Sequence, residues 1–228
     1  MGIGNILLLS QVTAYVLLFL LSFFIIVPSG VNLNNFDGNC ALFATGTWHE
    51  NKTTRHPYFS VDYWGDQSMC NFTIYIGILS MLVSFIFVVR LSIFLFREDD
   101  SSFLGAFLTL VINSFITVLL FSDCLVVTLG FNHFCDQLVK SPGSAISKCE
   151  MADLIQWDVD PLIVTSGMVV FFGMTEFGLW MSWITWLCLL IMSTVKIWRY
   201  SQHESFLRSM KRERERLFGH YSDQTQII

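Results

Sequence analysis

The sequence predicts an all-α membrane protein, a four-transmembrane-helix bundle with a small disulfide-linked first extracellular loop that contains a β-hairpin. Three observations predict it. Four apolar runs, Ile3–Val27, Thr73–Phe96, Phe103–Gly130 and about Leu162–Trp198, each reach the ~20 residues that a helix needs to cross a ~30 Å hydrocarbon core. Charged residues make up only 14% of the chain, against roughly 25% in soluble domains, too few to cover so much apolar surface. Four of the six cysteines fall in pairs between the runs.

The first run has no Lys or Arg before it. A cleaved signal peptide has a basic start and an apolar stretch of ~7–15 residues, whereas this start is uncharged and the stretch longer. The run is expected to stay as a helix. The loop at 28–72 then holds two segments rich in β-branched and aromatic residues, Cys40–Trp48 and Tyr58–Trp64, separated by polar residues and Pro57. That pattern predicts a hairpin. A lone hairpin is marginal in water, so a cystine and the helix tops must hold it.

Cys40 and Cys70 lie in this loop, and Cys135 and Cys149 in the second, 131–161. Two cysteines per loop fit an oxidising compartment. Four allow three pairings; Cys40–Cys70 and Cys135–Cys149 are favoured because each closes within one loop, stabilising by about 3–4 kcal/mol. Cys124 and Cys188 fall inside helices and are expected as free buried thiols. Two glycosylation sequons occur, Asn51-Lys52-Thr53 and Asn71-Phe72-Thr73. Asn51 sits mid-loop and is the better acceptor; Asn71 abuts the second helix.

The turn Arg97–Ser102 is short, which makes helices two and three an antiparallel hairpin. In the second loop Pro142-Gly143 marks a turn, and Asp153, Asp158 and Asp160 before Pro161 are placed to start helix four. Helix four carries Trp180, Trp183 and Trp186 with Gly173 and Gly178, a packing or partner face. The membrane domain is thus 1–198. The tail, 199–228, reads helical over His203–His220 and disordered from Tyr221 to Ile228. Its apolar stripe of Leu207, Met210, Leu217 and Phe218 suits a solvated extension, or a helix on anionic lipid or a cytosolic protein.

Orientation follows from basic residues. Nine of thirteen, Arg90, Arg97, Lys196, Arg199, Arg208, Lys211, Arg212, Arg214 and Arg216, lie at the second turn or in the tail. Lys52, Arg55, Lys140 and Lys148 lie in the two longer loops. The positive-inside rule puts both termini in the cytoplasm and the loops outside, in the secretory pathway or plasma membrane.

Ionisable groups in spans are candidates for function. Counting ~20 residues from the inner ends places Asp123 and Glu176 near the outer boundary, as wetted carboxylates or as one shared polar site for a cation, a lipid headgroup or a partner helix. Arg90 reads as an interface anchor. Asn113, Ser114 and Thr117 are expected to bond neighbouring helices rather than line a pore.

The chain has no Gly-rich phosphate loop, nucleophile elbow, HExxH or CxxC. Its histidines, His49, His56, His133, His203 and His220, are scattered. No catalytic residue, cofactor, metal or nucleic-acid partner is therefore expected, and no enzymatic activity.

The order Phe36-Asp-Gly-Asn-Cys40-Ala-Leu-Phe, Trp48, Phe59-Ser-Val, Trp64-Gly and Cys70-Asn-Phe resembles the first outer loop of the transmembrane protein 179 family. Ser102-Phe-Leu-Gly-Ala-Phe-Leu, Cys135-Asp, Cys149-Glu and Glu176-Phe-Gly-Leu-Trp-Met-Ser-Trp183 extend the resemblance over about residues 1–210. The resemblance implies a four-helix membrane protein and carries over no catalytic residues. More distantly, the architecture resembles claudin-like proteins, without their Gly-Leu-Trp-x-x-Cys loop motif. The function expected is that of a non-enzymatic accessory or organising partner of another membrane protein. The alternative is a small ion or solute transporter or channel using Asp123 and Glu176.

Overall fold

The computed structural model describes residues 3–50, 57–97, 103–154, 156–157 and 167–224, with side chains within 8–50, 57–94, 105–152, 167–199 and 201–202. Among them are α1 (Ile3–Asn35), β1 (Cys40–Glu50), β2 (Pro57–Gly65), α2 (Gln67–Arg97), α3 (Phe103–Lys140), a 3-10 turn (Cys149–Leu154), β3 (Gln156–Trp157) and α4 (Met168–Gln224). Each α-helix holds a segment long and apolar enough to span a bilayer, so this is a multi-pass membrane protein.

The helices outrun the apolar runs. α1 continues through Pro28 to Asn35 instead of ending at Val27. Proline removes one backbone donor, but its neighbours keep the helix going. It stops where Asp37 and Gly38 turn left-handed (φ 52° and 79°), and the Gly38 amide donates back to the Leu33 carbonyl at 2.8 Å. α2 starts at Gln67 rather than Thr73, capped by Asp66, whose carboxylate accepts from the Ser68 amide at 3.0 Å. That bond holds the Asp66 carboxyl below its ordinary value. α3 runs ten residues past Gly130, to Lys140. The second loop therefore starts at 141, where the predicted Pro142-Gly143 turn forms with Gly143 at φ 82°. α4 starts at Met168 in the described residues; Asp158, Asp160 and Pro161 lie outside them.

The expected hairpin is present. β1 and β2 pair antiparallel, with Trp48 opposite Phe59 and His49 opposite Tyr58. A bulge between Cys40 and Thr45 puts Phe43 at φ 61° and bends the strand toward α3. β3 pairs parallel to β2 and makes a three-stranded sheet that the sequence reading did not include. The sheet rests on the end of α3. Gly130 is required there, because a Cβ would lie 2.9 Å from the Phe43 ring and 3.0 Å from Leu42. The Trp48 indole N–H donates to the Leu138 carbonyl at 3.0 Å. Cys40–Cys70 fastens β1 to the first turns of α2, and Cys135–Cys149 ties α3 to the 3-10 turn.

Within the bundle, α1 packs closely on α2 and α4, and α4 on α3. The thinnest of these seams is α2 with α3, so the pair expected as a tight hairpin is held mainly through its neighbours. Large side chains cross the diagonals. Tyr15 on α1 donates to Asn113 on α3 at 3.0 Å, and Asn113 donates to Ser193 on α4 at 3.1 Å. Trp186 on α4 donates to Ser80 on α2 at 3.1 Å. The Tyr15 ring stacks on Phe87 at 4.9 Å and meets the Trp186 edge at 5.7 Å. Asn113 does bond neighbouring helices as expected. Thr117 instead bonds its own turn at the Asn113 carbonyl, and Ser114 is exposed.

α4 is one helix of 57 residues, about 85 Å long at ~1.5 Å per residue. The tail is therefore a continuation of the fourth span. Tyr221–Gln224, expected as disordered, belongs to the helix; 225–228 and the side chains from 203 onward lie outside the described residues.

Close approach of α1 to α4 depends on Gly178, where a Cβ would sit 3.0 Å from the Phe24 Cβ and 3.1 Å from Ile25. Gly173, one and a half turns earlier, has nothing within 4 Å of its Cβ position. Gly178→Leu should destabilise the detergent-solubilised protein by about 1–3 kcal/mol through overpacking. Gly173→Leu should melt at or above the parent temperature. Equal melting of the two variants would contradict this packing.

Candidate functional site

The feature that stands apart chemically is a mostly apolar pocket at the sheet end of the bundle into which four helix-borne polar side chains are set. α1 supplies Ser29 and Asn32, α2 supplies Thr73, and α4 supplies Thr175. Phe36, Ala41 and Leu42 form its roof. The local cause is the α1 extension: the polar Pro28–Asn35 stretch, left as loop by its composition, is helical and turns Ser29 and Asn32 inward. The cavity is about 20 Å³, room for one water.

The polar groups are unevenly satisfied. Ser29 and Thr175 share a hydroxyl contact of 3.3 Å. The Asn32 amide is 4% exposed, and neither its oxygen nor its nitrogen has a partner among the described residues. Thr73 donates to Asp123 Oδ1 at 2.7 Å across the α2–α3 seam, and Asp123 Oδ2 has no partner there. Asp123 is fully buried, which corrects the expectation of a wetted interface carboxylate. Depth counting failed because α3 continues to Lys140 and the sheet roofs the seam. An ionised carboxylate so enclosed needs a counter-charge, and the described ion pair, Lys140–Asp136, lies elsewhere.

Glu176 is half-buried on α4 and makes no hydrogen bond or ion pair with Asp123. No hydrogen bond joins the two expected members of a shared site among the described residues. The pocket brings Ser29, Asn32, Thr73 and Thr175 together, and Asp123 lies behind it, joined through the Thr73 hydroxyl. The signal for Asn32 in the sequence is faint: one amide among small residues after a proline.

The three tryptophans divide. Trp186 is fully buried at the bundle centre. Trp180 donates to Thr128 on α3 at 3.3 Å, and Trp183 lies 5.3 Å from the Phe121 ring. Trp180 and Trp183 meet edge to face at 5.7 Å. All three pack within the chain, Trp180 and Trp183 being half-buried. Cys124 is a free buried thiol as expected, whereas Cys188 is exposed on α4. Asn71 is half-buried in α2, and its sequon hydroxyl, Thr73, is engaged by Asp123. Asn51 lies outside the described residues.

The four-helix body, the hairpin above it and the Cys40–Cys70 link set the frame for the family comparison. A family model described as the transmembrane protein 179/179B claudin domain matches residues 7–218. The chain belongs to that family. The match takes in all four helices, both cystines and most of the long α4 extension. It makes the claudin-like likeness one of domain family. No solved structure matches the chain. Family membership assigns no chemistry to the pocket, and fold alone does not carry function.

Proposed function

We propose that this claudin-domain protein acts without catalytic chemistry, as an accessory or organising subunit of another membrane protein. The observation that carries this reading is the presentation of the sheet. Tyr63 on β2 is 77% exposed beside an exposed Asp62, on a scaffold fastened by Cys40–Cys70 and by the Trp48–Leu138 bond. An exposed aromatic on a rigid platform loses little entropy on binding, which is the economy of a recognition surface. The absence of any catalytic motif in the sequence supports the same reading.

The orientation proposed is that of the basic asymmetry: both termini cytoplasmic, the sheet outside or in the lumen. Asn51 is the glycosylation acceptor favoured by this orientation. The second reading, a small-cation or proton pathway, draws on one specific observation, the unpartnered Asp123 Oδ2 in the seam. Glu176 is half-buried on α4 and makes no hydrogen bond to Asp123 among the described residues.

In intact cells, epitope tags at both termini should be protected from added protease, and a tag at residue 52 should be cleaved. Cleavage of the C-terminal tag would reverse the orientation. Purification of the full chain in mild detergent, with mass spectrometry of what accompanies it, should yield a stoichiometric membrane-protein partner. Tyr63→Ser should fold normally and lose that partner. An unchanged partner set for Tyr63→Ser would remove the sheet from the account. Ion flux through the pure protein in liposomes, abolished by Asp123→Asn, would favour the second reading instead.

A further inference from the structure

The sheet-end half of α4 carries one charged group that the bundle does not use. Glu176 lies inside the Met168–Arg199 span, about two helical turns from its sheet end, and is half-buried. It makes no hydrogen bond and no ion pair among the described residues. It is not among the residues that line the pocket beneath the sheet. An ionisable side chain inside a span is costly, and such residues pair with one another or face a polar cavity. Neither is provided for Glu176 within the described chain.

Its surroundings lie along the outer side of the α3–α4 seam. Gly173, Glu176 and Trp180 follow one another at steps of three and four residues, so they share one helix face. Trp180 bonds Thr128 of α3, which places that face beside α3. Leu125 of α3 and Phe177 of α4 are exposed on either side. Gly173 adds an independent observation. Glycine is a poor helix former. At Gly178 its smallness seats α1, but a Cβ at Gly173 would meet nothing within 4 Å. A small residue on the face of a membrane helix lets a second backbone come close.

Charge decides the occupant. A carboxylate at this depth selects a cationic side chain. A second copy of this chain offers none at this level of a span: Arg90, Lys196 and Arg199 lie toward the far ends of theirs, and Lys140, at the tip of α3, pairs with Asp136. We infer that the α4 face around Gly173 and Glu176 docks a transmembrane helix of a different protein, one that carries a lysine or arginine level with Glu176. Its backbone crosses α4 at Gly173, and its cation pairs with the Glu176 carboxylate. This docking rests on the accessory-subunit reading and adds the chemistry of the partner.

The test uses the full chain, donor-labelled and reconstituted in phosphatidylcholine vesicles. It is titrated with acceptor-labelled helices of ~20 Leu and Ala residues, carrying near one end a single lysine, a leucine or a glutamate. Energy transfer should saturate with the lysine helix at about tenfold lower peptide-to-lipid ratio than with the leucine helix, the effect of one interhelical polar contact. The glutamate helix should bind no better than the leucine helix. Glu176→Gln should remove the preference for lysine. Gly173→Leu, which keeps the fold, should weaken binding of the lysine helix about tenfold by filling the crossing point. Leu82→Ala, on the exposed face of α2, should leave it unchanged. In cells, benzoylphenylalanine in place of Phe177 should crosslink to a transmembrane segment that contains a basic residue. Equal binding of the lysine and leucine helices, a lysine preference that survives in Glu176→Gln, or crosslinking to a second copy of the chain would overturn the inference. A membrane partner that copurifies equally with the parent, Glu176→Gln and Gly173→Leu would overturn it too, and would leave the accessory reading intact. The vesicle measurement needs no natural partner, so it holds or fails separately from that reading.

Discussion

Tyr15 is the point at which the four helices meet. Its ring stacks on Phe87 of α2 and meets Trp186 of α4, while its hydroxyl donates to Asn113 of α3. Lipid offers no hydrophobic drive to hold helices together, so shape and internal hydrogen bonds must do it. A buried amide such as Asn113 would be left unsatisfied in hydrocarbon if the bundle opened, and here both of its ends are used, by Tyr15 and toward Ser193. Small residues at Gly77 and Gly178 let α2 and α4 approach α1 closely enough for the contacts to form. The centre of the described bundle is consequently filled by side chains, and the pocket lies toward its sheet end.

The same rigidity explains the sheet. Three strands are too few to be stable alone, yet these stand on helices that project beyond the apolar runs. Trp48 and Gly130 seat β1 on α3, and the cystine joins it to α2. The projection also creates the pocket at this end, since the chain leaving α1 and the start of β1 lie over Asn32 and Thr73. One structural feature, helices longer than their hydrophobic stretch, thus accounts for both the presented surface and the pocket beneath it.

Much of this was legible in the sequence. Hydropathy is a strong signal because the bilayer sets a length, and all four spans were readable from it. The hairpin showed in two segments rich in aromatic and β-branched residues on either side of Pro57, and the cystines in their local spacing. Helix ends were less legible. Pro28, Ser29 and Gly30 have turn chemistry, and only the tertiary setting of α1 keeps them helical. Asp123 was misplaced for the same reason, since depth counting assumes that water begins where apolar residues end. β3 has two residues and no pattern to read. Three equally spaced tryptophans suggested one face, but a step of three residues drifts around a helix and divides them between centre and seam.

The central physical claim is that Tyr15 and Asn113 hold the helices together as a pair. A double-mutant cycle of Tyr15→Phe and Asn113→Ala, measured by reversible unfolding in detergent micelles, tests it most directly. The account predicts a coupling energy of about 0.6–1.7 kcal/mol, the range of interhelical hydrogen bonds in membrane proteins. Additive single-mutant effects, within about 0.3 kcal/mol, would contradict it.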